Sequence, residues 1–323
     1  MQINGRTFLK LSVLSLLILL ALSTFFAQQQ VELTPTPSPE ASPTASPTPT
    51  PSPTPLPGAQ NFHQWGSITV FNGLPSDSVR AIAQTPDGVM WFGTDNGLAR
   101  FDGRRIQNFS LGDPEANRIL ALETVANGDL WIGTRNGAFI YSNLGLTTIE
   151  NTPGTVITAI VGRGNDIFRA GTESEVVLGT ETGFVLVVRK QDSGTRVGTP
   201  LFPEPIKSPD GTPAAITGLI TTDHGGILAA TAGRGVFFVD DGVAESEATL
   251  RAPSPFVNAI VRDSDFKVWL GIDATRGGNG VAVAYPDGQP IRITAPTSKV
   301  LTLVANEQGS WAGTERYGLF NFV

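Results

Sequence analysis

The chain has 323 residues with 36 glycines, 24 prolines and no cysteine, 40% hydrophobic content and a formal charge of -7. An acidic chain with no run of Lys or Arg is a poor partner for nucleic acid or an anionic membrane surface, because both need a basic patch that releases counterions. The missing cysteine excludes disulfides and a bacterial lipoprotein anchor, so an exported domain built from this chain must be held by packing.

Residues 1–27 read as an export signal or an uncleaved signal anchor. Arg6 and Lys10 precede "LSVLSLLILLALSTFFA", seventeen residues without charge, which are the basic and apolar regions of such a segment. Ala27 suits a cleavage site, whereas Phe25 is larger than a signal peptidase prefers, so both fates stay open. Residues 28–64 form a linker. Ten prolines alternate with Ser, Thr and Ala between residues 34 and 57, a composition that cannot build a core and favours extended polyproline II with a reach of about 70 Å. This linker is either a spacer or a tolerated tail.

From residue 65 onward the chain repeats. The interval from the first apolar strand to the start of the second is twelve residues for Val79 to Trp91, Ile119 to Trp131, Val156 to Phe168, Ile216 to Leu228 and Val257 to Trp269, and one fewer for Val300 to Trp311. The third copy, "IFRAGTESEVVLGTETGFVLVV", contains two Gly-Thr pairs, and either could stand for the "IGT" of the second. In the first copy an apolar run meets a Pro-Asp-Gly turn, "VMWFGT" follows, and Asp95-Asn96-Gly97 reverses the chain again before "LARF" and "IQNF". Asn-Gly readily takes the positive φ of a tight hairpin, and four short strands per forty residues is the pattern of a propeller blade. The sixth copy ends after three strands, and Ile68 to Phe71 resembles the fourth strands "RRIQNF" and "PIRIT". Residues 65–323 are therefore expected to be an all-β, six-bladed β-propeller closed by an N-terminal strand.

The first copy, "GLPSDSVRAIAQTPDGVMWFGTDNGLARFDG", and "LWIGTRNG" of the second carry a family resemblance. They resemble the two-component regulator propeller repeat, found outside the membrane in bacterial hybrid histidine kinases. The resemblance implies a ligand-sensing propeller, periplasmic, cell-surface or secreted. No kinase domain follows in this sequence, so signalling is expected to pass through a partner such as a membrane-bound signalling protein.

Chemistry-bearing residues are sparse. The two histidines, His63 and His224, have no spacing that pairs them with a serine and a carboxylate or with metal ligands, so no catalytic residue, metal site or cofactor is expected. The tryptophans of the repeat and the Gly-Thr after them read as packing devices. Binding is expected at the end that gathers the second-to-third-strand loops and the links between blades, on Asp95, Asn96, Arg135, Asn136, Arg234, Asp273, Arg276, Arg316 and Tyr317. "DATRGGNG" (273–280) lengthens one such loop, and 191–213 is read as a long link between blades three and four. The ligand is a small molecule, glycan or peptide. The alternatives are an exported lyase or glycoside hydrolase propeller and a structural or assembly scaffold, since fold alone cannot choose.

Overall fold

The computed structural model describes residues 67–322, apart from 164–174, 191–193, 223–224, 241–242, 247–251, 277–279, 285–291, 295–297 and 307–308. The signal segment, the linker, both histidines and part of the 273–280 loop lie outside the described residues.

The chain is a β-propeller of six antiparallel sheets, each a meander in chain order. Blade one is β1 (Val79–Gln84), β2 (Met90–Thr94), β3 (Gly97–Phe101) and β4 (Ile106–Phe109). Blade two is β5 (Ile119–Thr124), β6 (Leu130–Thr134), β7 (Gly137–Ser142) and β8 (Gly145–Thr148). Blade three is β9 (Ile157–Arg163), β10 (Glu175–Thr180), β11 (Val185–Lys190) and β12 (Arg196–Pro200). Blade four is β13 (Ile216–Thr221), β14 (Ile227–Thr231), β15 (Gly235–Asp240) and β16 (Val243–Ser246). Blade five is β17 (Val257–Arg262), β18 (Val268–Ile272), β19 (Val281–Ala284) and β20 (Arg292–Thr294). Blade six has β21 (Val300–Asn306), β22 (Gly309–Thr314) and β23 (Gly318–Phe322). Each first strand packs on the first strand of the next blade, from β1 on β5 through to β17 on β21.

A repeated glycine near the end of the second strand explains how blades stack. It is followed by Thr in blades one, two, three and six and by Ile272 in blade five, while blade four has Ala230-Thr231 at that place. A Cβ on Gly93, Gly133, Gly179 or Gly271 would lie 2.5, 2.8, 2.5 or 2.7 Å from the residue that opens the next blade: Ile119, Ile157, Ile216 or Val300. No side chain fits at the glycine because a branched residue of the neighbouring blade fills that space. The threonine clamps the following hairpin: the Oγ1 atoms of Thr94, Thr134 and Thr231 each donate to the Gly97, Gly137 and Gly235 carbonyls at 2.8 Å. Gly179→Ala is therefore expected to overpack the seam between blades three and four and to destabilise by about 1–3 kcal/mol, read as a lower urea midpoint with unchanged slope. An unaltered midpoint would show that Ile216 can yield.

Three expectations are corrected. Ile68 to Phe71 does not close the last blade: Val70–Asn72 is a 3-10 turn, and β23 pairs only with β22 among the described residues. Local side-chain bonds take the place of a ladder, since the Thr69 amide donates to Asn72 Oδ1 at 2.9 Å and the Val70 amide to Asp77 Oδ1 at 2.8 Å. In blade three the second strand begins at Glu175, so the Gly179-Thr180 pair is the structural equivalent of "IGT" and the twelve-residue interval to Phe168 does not hold. The 191–213 stretch contains β12, the outer strand of blade three, rather than being link throughout. A further difference concerns Trp311. It is 37% exposed where Trp91 and Trp131 are 3% and 4%, because among the described residues no blade other than that of β17 packs on β21.

Candidate functional site

The antiparallel meander puts the β1–β2 and β3–β4 turns of every blade at one end, and the β2–β3 turns and inter-blade links at the other. The nine expected site residues lie at the second end, where most are engaged locally. Asp95 is held by both Arg80 nitrogens, Nε at 2.5 Å and Nη2 at 2.9 Å, and this hydrogen bonding keeps its carboxyl below the usual range. Asn96 Nδ2 reaches the Pro75 carbonyl at 3.4 Å. Arg135 pairs with Glu115 at 3.0 Å, and Asn136 bridges Asp113 and the Gly154 amide at 3.2 and 2.7 Å. Arg234 lies over the Phe237 ring and Arg276 over the Phe256 ring, with centroid distances of 5.7 and 4.8 Å.

Asp273 is buried, which would raise its carboxyl. The Thr275 hydroxyl and amide and the charges of Lys299 and Arg276 outweigh burial and lower it. Arg316 stands 3.8 Å from Glu315, and Tyr317 is exposed with its amide bonded to Thr314 Oγ1 at 3.1 Å. None of the nine lines either of the two larger cavities.

Those cavities lie at the first end, over blades one to three. The larger, about 920 Å³, is bounded by the 85–89 and 126–130 turns, by Arg100 and Gln107 of blade one, and by Tyr141 to Gly145 of blade two. Beneath it Trp91, Phe109 and Tyr141 form an aromatic cluster, with centroid separations of 4.9 Å for Trp91–Tyr141, 5.7 Å for Trp91–Phe109 and 5.3 Å for Phe109–Tyr141. Such offset and tilted pairs are favoured by the ring quadrupoles and make a rigid floor. On the rim the Thr85 hydroxyl, 2.5 Å from Asp87 Oδ1, holds the Asp87 carboxylate below the usual range, helped by the Val89 amide. A second cavity of about 570 Å³ adjoins it and shares Asn127, Asp129 and Arg196. Its wall includes Glu175, which receives Arg189 at 3.2 Å and stands 3.7 Å from the buried Arg163. Arg163 in turn bonds Asp240 at 2.6 Å and the Gly225 carbonyl, tying blade three to blade four.

The tryptophans differ by blade in a way their spacing hides. In blade five Trp269 Nε1 donates to Asp263 Oδ2 at 2.8 Å, six residues earlier in the first-to-second-strand turn. The equivalent residues are Thr85, whose hydroxyl serves Asp87 and the Val89 carbonyl, and Val125, which has no acceptor. The buried indole N–H groups of Trp91 and Trp131 have no hydrogen-bond partner among the described residues, and these two residues line the first and second cavities respectively. A buried donor left unmade costs about 1–3 kcal/mol, so such groups call for a reason. The signal was present in the sequence at residues 85, 125 and 263, and could be found only by comparing what precedes each tryptophan. Among the described residues no group of three or more His, Asp or Glu could hold a metal ion.

Stacked blades that bring strand-end turns together over an aromatic floor define the class: a β-propeller offering a groove between neighbouring blades. Residues 73–96, the link into blade one with β1 and β2, match the two component regulator propeller family. No curated protein matches the chain. Among solved structures it is similar to virginiamycin B lyase from Staphylococcus aureus, at 14% identity over 76% of this chain and 84% of that one, with a TM-score of 0.54. It is also similar to AFV00434, an ancestral GH74 enzyme, at 12% identity and a TM-score of 0.58, and to PorZ, a surface component of the type-IX secretion system of Porphyromonas gingivalis, at 17% and 0.54. This chain spans 36% and 38% of the lengths of those two. At such identities the likeness is one of fold.

Proposed function

We propose that this protein is a non-catalytic ligand-binding propeller working outside the cytoplasm, a sensor that passes occupancy to a signalling partner. The observation that carries the reading is the groove over blades one and two, where an aromatic floor meets a polar rim. Concave sites with a few placed polar groups are where ligands of this size are received. The match of residues 73–96 to the regulator propeller family supports a sensing role, and the charged-then-apolar N-terminal stretch supports export.

The test is a screen of the full chain against glycans, peptides and small metabolites, read by tryptophan fluorescence and by melting temperature, which rises with occupancy. Gln107→Ala and Asn127→Ala, both on exposed rim positions, are expected to weaken the hit tenfold or more, about 1.4 kcal/mol. Ala in place of Arg135, Arg234 or Arg316 is expected to leave it unchanged. The reverse pattern would place the site among the loops of the opposite end, and a screen without any saturable binder would defeat the reading.

A further inference from the structure

The sheet of blade six has two unlike faces. Leu303 and Ala312 are buried with Val281 of blade five. The opposite face carries Thr302, Val304, Trp311, Gly313, Leu319 and Asn321, set side by side by the register of β21, β22 and β23, since residues paired across antiparallel strands stand on the same face. Val304 and Leu319 are 54% and 59% exposed, and Trp311 stands with them. At the same positions of blade two, Trp131, Ala138 and Ile140 are buried with Leu178 and Val188 of blade three. Blade six thus shows to solvent the kind of surface that blade two buries in a seam, and an exposed apolar patch of this kind marks an interaction site.

Three observations say what covers it. The face has no charged side chain, in a chain of formal charge -7, so a like copy brought against it meets no repulsion there, while a partner chosen by its charge has nothing to read. A Cβ on Gly313 would meet only the Thr302 methyl of its own sheet, at 2.8 Å, where Gly93, Gly133, Gly179 and Gly271 are each filled by an isoleucine or valine of the next blade. The empty seat suits a branched side chain, and the same face offers one in Val304. Blade one of the same molecule does not supply it: β21 is not packed on β1. The row of blade one that would meet blade six in a closed ring, Ile82, Phe92 and Ala99, is partly taken by Leu74, which is buried with Phe92 and Ala99.

We infer that this face is the contact surface of a homodimer, in which two copies pack blade six on blade six about a two-fold axis. Such a contact uses one patch twice, so that the Val304–Trp311 row of each copy covers the Gly313 seat of the other. Strands of seven, six and five residues make a small face, and interfaces at the low end of the size range are reversible ones.

The experiment is sedimentation velocity of the full chain across a wide range of concentration. The dimer fraction is expected to rise with concentration and not to fall when sodium chloride is raised, because an uncharged face has no ion pairs to screen. Trp311→Lys and Leu319→Lys each set a cation near its symmetry mate and should raise the dissociation constant of the dimer tenfold or more. Leu319 is the more exposed of the two, so its variant decides if Trp311→Lys fails to fold. Ile82→Lys, at an exposed position of β1, should leave the association unchanged; loss of the dimer in that variant would mean that blade six packs on blade one, and would overturn the two-fold arrangement. A monomer at every concentration overturns the inference. So does association that persists in both blade-six variants, the result expected if the apolar N-terminal stretch held the copies together.

Discussion

Replacing Trp131 by Ala should cost about 3–5 kcal/mol, the range for a fully buried aromatic removed from a packed core, whereas the same change at Trp311 should cost much less. The two residues occupy the same place in the repeat, on β6 and β22. Trp131 packs with Ile140 and Val125 of its own blade and with Val176, Leu178, Leu186 and Val188 of blade three, so its removal opens a cavity walled by two sheets. Trp311 has solvent over more than a third of its surface, and part of the ring's transfer free energy is already forgone. Urea denaturation of the two variants side by side is the measurement. Equal losses would mean that the last blade is covered as fully as the second.

The next largest effect should come with pH and be traceable to Glu123. It lies on β5 opposite Trp131, at a position that the other first strands fill with Ala83, Val161, Ile220, Val261 and Val304. Burial lifts its carboxyl from 4.5 to about 7, opposed by a hydrogen bond from the Gly162 amide of blade three. The native state therefore keeps a proton that the unfolded chain releases near 4.5, and stability falls as pH rises from about 4.5 to about 7. The interval corresponds to about 3 kcal/mol as an order of magnitude.

Glu123→Gln carries no titrating proton and retains an acceptor for the Gly162 amide. It should abolish that slope and be the more stable protein above pH 7. Other carboxylates titrate in both chains, so the quantity to follow is the difference between the two stability curves from pH 4.5 to 8. A difference that does not change with pH would show that Glu123 is ionised in the folded state.

Local chemistry along the chain was enough for the blades. Val79, Ile119, Ile216 and Val257 each open a first strand where the twelve-residue spacing puts them, and Val300 does so with an interval one residue shorter, because turn residues and apolar alternation act over a few neighbours. The packing role of Gly-Thr was legible for the same reason, since the pair recurs at one point of blades one, two, three and six. Blade three escaped because two Gly-Thr pairs compete within one copy, and only the pairing of Val176, Val177 and Leu178 with β9 and β11 selects Gly179-Thr180.

The 68–71 stretch was misread because a strand-like pattern says nothing of rival partners: Thr69, Asn72 and Asp77 satisfy its amides locally. The site was legible least. Its parts, Trp91, Tyr141 and Arg196, come from three blades. Residue types and spacings determined the repeat, the turns and the stacking glycines. Which donors remain unpartnered, which blade face is left uncovered and which end of the propeller is hollow were decided only by the packing of blade on blade, because those properties belong to pairs of residues that the chain itself keeps far apart.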